Sequence, residues 1–324
     1  MKKSFILKII FSLMTLCVVI LFGFYFVFLS RGIKVLPQGA GSSGTERKYN
    51  ILVASGLKGE TFSRQVLRGA QATAQKYNCA IEFFVPENQA EDYSVQALFD
   101  YASYIDADGV IAYIPAAEKN LTLPVKRDGS PIPLVTVGAY IPELPQVSYI
   151  GLDFSELGRT IAEEILYFTG GQGNAYILYS DFLNNNYDLL LKSLMAGVKN
   201  QPKLHISTVN ITQEKNSQTG FISQKLLDSD GKALFVTLSE ENSVSLAQSI
   251  PDFYQSEKIS IIGFSNGADS RAYFEKGIIT ELILVNSLEI GRRAVEEIFQ
   301  YKKDGKSSSY IIAGIDVLKK GGQK

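Results

Sequence analysis

The chain has 324 residues, with 32 basic and 33 acidic side chains and a formal net charge of −1. Such balance lacks the basic surplus that a nucleic-acid footprint needs, so no nucleic-acid partner is expected. One histidine, His205, and two cysteines, Cys17 and Cys79, provide no disulfide framework and no metal-ligand cluster. Neither a metal nor a cofactor is therefore expected, and little is left for enzyme chemistry.

Residues 1–8 carry Lys2, Lys3 and Lys8, and Ile9–Leu29 then form an uncharged apolar run of 21 residues. At a rise of about 1.5 Å per residue this run spans roughly 30 Å, the hydrocarbon thickness of a bilayer. The preceding lysines favour a cytoplasmic N-terminus. A cleaved signal peptide has a shorter apolar core followed by small residues, so an uncleaved anchor is the favoured reading. Leu16 stands where a lipoprotein cysteine at position 17 would need a small residue. The expectation is a single-pass protein of the cell membrane with its body on the extracytoplasmic side. Residues 30–48, rich in Gly and Ser, read as a flexible tether.

From Tyr49 onward strands and helices alternate. Buried-strand runs are NILVAS, AIEFFVP, GVIAYIP, IPLVTVGAY, NAYILYS, LHISTVN, ALFVTLS and ISIIGF. Between them lie helical patterns such as FSRQVLRGAQATAQKY, ELGRTIAEEILYFT, NYDLLLKSLMAGVKN, GFISQKLLDS and SVSLAQSIPDFY. Alternation of this kind implies parallel strands with helical crossovers. Two successive sets of units, broken near Ser148–Asp153, suit two doubly wound lobes better than one eight-unit barrel.

Gly263-Phe264-Ser265-Asn266-Gly267 matches the G-x-S-x-G nucleophile elbow. Hydrolases that use the elbow order their triad Ser, acid, His, and here the one histidine precedes the serine. Ser265 thus reads as part of a binding loop at the carboxyl end of a strand rather than as a nucleophile. Gly170–Tyr176, a partial G-x-G-x-x-G, precedes a strand instead of following one and fails as a dinucleotide fingerprint.

The C-terminal stretch ISIIGFSNGADSRAYFEKGIITELILVNSLEIGRRAVEEIFQYKKDGK, together with FSRQVLRGAQATAQKY and VSYIGLDFSELGRTIAEEI, resembles the type I periplasmic binding proteins. That sugar-binding family also supplies the effector domain of LacI-type repressors. The resemblance covers 49–320 and implies two parallel-sheet lobes joined by a three-crossing hinge. Lobe 1 would comprise about 49–151 and 287–311, and lobe 2 about 152–285 and 312–320. The crossings would fall near Leu152 and Asp153, near Val285 and Asn286, and at 310–313. A helix-turn-helix is replaced by the apolar run, which sets the repressor reading aside.

The resemblance also implies a ligand between the lobes, with Phe62 stacked on its face. Several polar positions of the family are altered here: the adjacent first-loop position is Ser63, a third-strand end is Ile114, an Asp-Arg pair is Gly138-Ala139, an Asn is Leu238, an Asp is Ser265 and a Gln is Val285. Candidate ligand-binding residues are Glu60, Phe62, Tyr113, Tyr140, Tyr187, Asp188, Ser239, Ser265, Asn266 and Asn286, with Asn184, Asn186 and Glu240 nearby. Asp153 reads equally well as the N-cap of the next helix. The functional expectation is a membrane-anchored solute-binding protein for a sugar-like small polar ring, serving an ABC permease or a membrane sensor kinase. The alternative is a degenerate binding fold that acts as a protein-interaction scaffold without a selective solute.

Overall fold

A computed structural model describes residues 48–55, 61–83, 94–114, 120–179, 187–211, 233–250 and 259–320. The apolar run 9–29, the tether through residue 47, Glu60, Asn184, Asn186 and the expected helix at 220–229 lie outside the described residues. Among the described residues no helix is long and apolar enough to cross a membrane.

In chain order the strands begin with β1 (Tyr49–Ser55), β2 (Cys79–Glu82), β3 (Gly109–Tyr113), β4 (Leu134–Val137) and β5 (Ser148–Gly151). They continue with β6 (Gln172–Tyr179), β7 (Lys203–Asn210), β8 (Ala233–Thr237), β9 (Ile259–Ser265) and β10 (Glu281–Val285), and end with β11 (Tyr310–Ile312) and β12 (Ile315–Lys319). Two six-stranded sheets result, ordered β11-β5-β4-β3-β1-β2 and β12-β10-β9-β8-β6-β7. Pairing is parallel throughout the first sheet. In the second it is parallel except for β12, which runs antiparallel to β10. Central strands such as β3 and β8 are buried almost end to end, as expected where helices cover both faces of a parallel sheet. Edge strand β7 is largely exposed.

The helices are α1 (Thr61–Ala74), α2 (Val95–Tyr104), α3 (Phe154–Thr169), α4 (Tyr187–Val198), α5 (Glu240–Ser249), α6 (Asp269–Lys276) and α7 (Ser287–Asp304). The chain leaves the first sheet between β5 and α3, returns between β10 and α7, and leaves again between β11 and β12. Each of the first two crossings ends in a helix cap. Asp153 accepts hydrogen bonds from the amides of Ser155 and Glu156 at 2.8 and 3.1 Å. Asn286 accepts from the amide of Glu289 at 3.0 Å. Both side chains satisfy helix-start donors that would otherwise lack partners.

Two helix pairs pack backbone against backbone. A Cβ added at Gly69 of α1 would sit 1.9 Å from the carbonyl oxygen of Leu288, and one at Gly291 of α7 would sit 1.9 Å from that of Val66. In the second lobe a Cβ at Gly158 of α3 would meet the carbonyl oxygen of Leu190 at 2.3 Å. The glycine of the Glu289-Ile290-Gly291 segment is therefore set by the approach of two helices. Overpacking a tight contact costs about 1–3 kcal/mol, and here the obstruction is backbone that has no rotamer to change. Gly291→Ala is expected to lower the unfolding free energy of the full chain by about 2–3 kcal/mol in urea titration. Gly314→Ala, where a Cβ meets nothing within 4 Å, is expected to leave it unchanged.

Candidate functional site

Between the sheets, at the carboxyl ends of their strands, lies a cavity of about 100 Å³. That is several times the ~10–15 Å³ needed for one water. Phe62, Tyr113 and Gly138 line it from the first lobe, and Gly151, Leu152 and Val285 from the crossings. Phe154 and Leu157 of α3, Leu190 of α4 and Ile290 of α7 add apolar surface. The ends of β8 and β9 contribute Leu238, Ser239, Phe264 and Asn266, and the first turn of α5 contributes Glu241 and Asn242.

The aromatic wall depends on Gly138. Its φ is +73°, a left-handed value that favours glycine, and a Cβ there would lie 2.9 Å from the Tyr113 ring and 3.1 Å from the tip of Phe62. The rings of Phe62 and Tyr113 stand 5.6 Å apart at 60°. The absence of a side chain at Gly138 thus leaves room for two rings. Leu238 and Val285, which stand where the family resemblance implies polar groups, are buried in the cavity wall, whereas Ile114 packs in a separate apolar cluster.

The polar groups are mostly committed. Ser239 caps α5 by accepting from the Asn242 amide at 3.1 Å. Glu241 reaches across to the first lobe, accepting from the Thr61 amide at 2.9 Å. Asn266 makes a second link between the lobes, its Oδ1 accepting from the Ser287 hydroxyl at 3.2 Å. Asn242 differs: it is only 8% exposed, and its Nδ2 has no partner among the described residues.

Four of the expected residues line the cavity: Phe62, Tyr113, Ser239 and Asn266. Tyr140 packs edge-on against Tyr149 and Tyr310, with ring centroids 5.8 Å away in each case, beside the crossings and not among the lining residues. Tyr187 lies against Tyr179 at 4.6 Å, and burial pushes its hydroxyl pKa up. Asp188 is exposed in the first turn of α4, and Asn286 is an exposed cap. Glu60 lies outside the described residues. Sequence reasoning passed over Glu241 and Asn242 because it began the helix at Ser243. Ser239 followed by two glutamates is the capping signal that places the start at Glu240.

Ser265 is buried beneath the loop that carries it. Its Oγ donates to the Gly267 carbonyl at 3.2 Å and accepts from the Ser270 hydroxyl at 2.8 Å. The loop is held by Glu240, 1% exposed, whose carboxylate accepts from the Asn266 amide at 2.7 Å and from the Ser270 amide and hydroxyl at 3.2 Å each. The two glycines of the motif also have packing reasons. A Cβ at Gly263 would meet Leu282 at 2.9 Å, and one at Gly267 would meet Thr61 of the other lobe at 2.8 Å. His205 is on β7, three strands from β9 and so about 14 Å away across the sheet. A serine-directed fluorophosphonate is expected to leave the full chain unlabelled. Labelling that vanishes in Ser265→Ala would show a nucleophile after all.

The architecture has counterparts among solved structures. A solute-binding protein of an ABC transporter from Burkholderia graminis, in complex with D-arabinose, is 15% identical, with 87% of this chain and 100% of that one covered at a TM-score of 0.70. GanP, a glucose-galactose binding protein from Geobacillus stearothermophilus, is 21% identical over 85% of this chain and 98% of that one, with a TM-score of 0.67. XylFII in the XylFII–LytSN complex is 21% identical over 84% and 98%, with a TM-score of 0.66. At such identities the likeness concerns fold alone. Comparison with curated protein sequences finds no match. A family model described as a periplasmic binding protein domain matches residues 51–307, most of the body built around this cavity. The chain belongs to the periplasmic binding protein domain family.

Proposed function

We propose that this is a solute-binding protein, held at the outer face of the cell membrane by residues 9–29, which takes a small cyclic ligand between its lobes and reports lobe closure to a membrane partner. The observation that carries this reading is the cavity at the crossings, whose walls come from both lobes and from the segments that join them. Ligand bound there contacts both sheets at once and so favours the arrangement in which they meet. Phe62 and Tyr113 offer ring faces and edges suited to a cyclic ligand.

The partner is an ABC permease or a membrane sensor kinase. The solute-binding proteins of ABC transporters among the similar structures support the former, and the XylFII–LytSN complex, a similar structure with a second protein bound, supports the latter. A tether that confines the body to one membrane raises its effective concentration for a fixed neighbour, which suits either role. One observation favours the scaffold reading: a single buried apolar cluster runs through both lobes, from Ile51 and Val135 to Val236 and Ile283.

Thermal unfolding of the full chain against a library of sugars, nucleosides, polyols and cyclic amines separates the two. A solute at a hundred times its Kd adds about 2.7 kcal/mol of stability, a shift of several degrees in Tm. Phe62→Ala is expected to remove most of that shift. No shift with any member would leave the scaffold as the better account. For the anchor, protein isolated from membranes is expected to begin at or near Met1. An N-terminus between residues 30 and 45 would mean that the apolar run is cleaved off.

A further inference from the structure

The cleft is one-sided in charge. Among the described lining residues Glu241 is the one charged group, and it is exposed, which puts it at the mouth. One of its carboxylate oxygens accepts from the Thr61 amide at 2.9 Å, which holds the group beside the residue that precedes Phe62. No ion pair joins Glu241 to another described residue, and its second oxygen has no partner among them. Arg64 of α1 donates to the Thr61 hydroxyl at 3.0 Å and is not a lining residue. The ring of Phe62 meets that of Tyr113 at 60°, with centroids 5.6 Å apart. Further in, Leu152, Leu238 and Val285 present buried apolar surface.

We propose that the cleft takes a small organic monocation, a protonated or alkylated cyclic amine, with its charge between the second oxygen of Glu241 and the Phe62 and Tyr113 rings and its apolar ring against the inner wall. The inference rests on the reading of the cleft as a solute site. A carboxylate without a counter-ion beside aromatic faces attracts a cation twice, by its charge and by the ring quadrupole. The contact with the rings alone raises affinity roughly two- to thirtyfold. At the mouth the ammonium keeps part of its hydration while the ring is buried, which limits the cost of desolvation. Asn266 and Ser239 each keep one donor, since Asn266 uses its Oδ1 on Ser287 and Ser239 accepts from the Asn242 amide. Those two donors can serve one oxygen of the ligand but not the hydroxyls around a whole monosaccharide ring. Each hydroxyl pressed on apolar wall without a partner lowers affinity roughly five- to a hundredfold. An anionic ligand is repelled by Glu241.

Isothermal titration calorimetry on the full chain in phosphatidylcholine nanodiscs, with empty nanodiscs as the blank, tests this at neutral pH. The probes are cyclohexylamine, cyclohexanol, cyclohexanecarboxylate, D-glucose and D-arabinose. The amine is then a cation of nearly the same shape as the alcohol, and it is expected to bind at least tenfold more tightly. The carboxylate and both sugars are expected to bind more weakly than the alcohol. E241Q keeps an acceptor for the Thr61 amide and loses the charge, so it is expected to bring amine and alcohol within threefold of each other. The comparison of amine with alcohol needs no variant and holds even if E241Q fails to fold. A preference for the amine under tenfold in the unaltered chain, or one that stays above threefold in folded E241Q, would overturn the proposal. A sugar or the carboxylate that binds more tightly than the amine would overturn the ligand class while leaving the cleft as a solute site. Binding by no probe would also overturn the ligand class, and the thermal screen against the wider library then decides the solute reading.

Discussion

The amide of Ala313 donates to the carbonyl of Gly151 at 2.7 Å. That bond ties the last crossing between the lobes to the first, beside Gly151 and Leu152 of the cavity wall. At each crossing the chain leaves one sheet before it joins the next, and its backbone groups need partners there. Asp153 and Asn286 supply them at the starts of α3 and α7, and Ala313 supplies one at the third crossing. Tyr149 braces the same place: its hydroxyl donates to the Leu152 carbonyl at 3.2 Å, and a Cβ on Gly151 would lie 2.2 Å from the Tyr149 hydroxyl oxygen. Burial and the neighbouring Tyr310 push the Tyr149 pKa up, so it stays a neutral donor. Leu152, Val285 and Ala313, one from each crossing, are buried in the shared apolar cluster. The hinge is therefore anchored by packing as well as by hydrogen bonds.

Around this hinge the small and apolar residues of the cavity fit one another. Gly138 opens space that the Phe62 and Tyr113 rings fill, while Leu238 and Val285 bring apolar surface to the opposite walls. A buried donor or acceptor left without a partner costs about 1–3 kcal/mol. Here Ser239 is a cap and Asn266 a tie, and Asn242 Nδ2 is the one fully buried side-chain atom of the described lining residues without a partner. The G-x-S-x-G match belongs to the same economy of space. Glu240 holds the loop from beneath, and Gly267 lets Thr61 of the other lobe approach.

The alternating α/β pattern was legible because buried strands and amphipathic helices have different periods, and because Gly277 and Gly305 close their helices in the left-handed conformation. The crossing at Leu152–Asp153 was placed by the family resemblance, because a strand, an Asp cap and a helix look the same in sequence at any connection of a parallel sheet. The direction of β12 was not legible, since a five-residue strand such as Ile315–Lys319 carries no sign of whether it pairs parallel or antiparallel. Its position is instead tied by Lys319, which bridges Glu164 of α3 and Glu281 of β10. Burial and the adjacent Glu164 raise the Glu281 pKa to about 7. Within the cavity, aromatic and strand-end positions could be read, whereas Leu157, Leu190 and Ile290 look in sequence like any core residue of an amphipathic helix. Which buried faces meet each other and which meet a cavity depends on how the two lobes dock.

That docking also sets the energetic problem a ligand must solve. Thr61–Glu241 and Ser287–Asn266 already bridge the lobes, and separating them uncovers apolar wall at about 25 cal/mol per Å². Each ~100 Å² exposed thus costs roughly 2.5 kcal/mol before any solute is considered. A polar cleft relies on its ligand to supply the contacts that hold it shut, whereas this one has contacts of its own. Ligand shifts such an equilibrium only by its preference for one arrangement over the other.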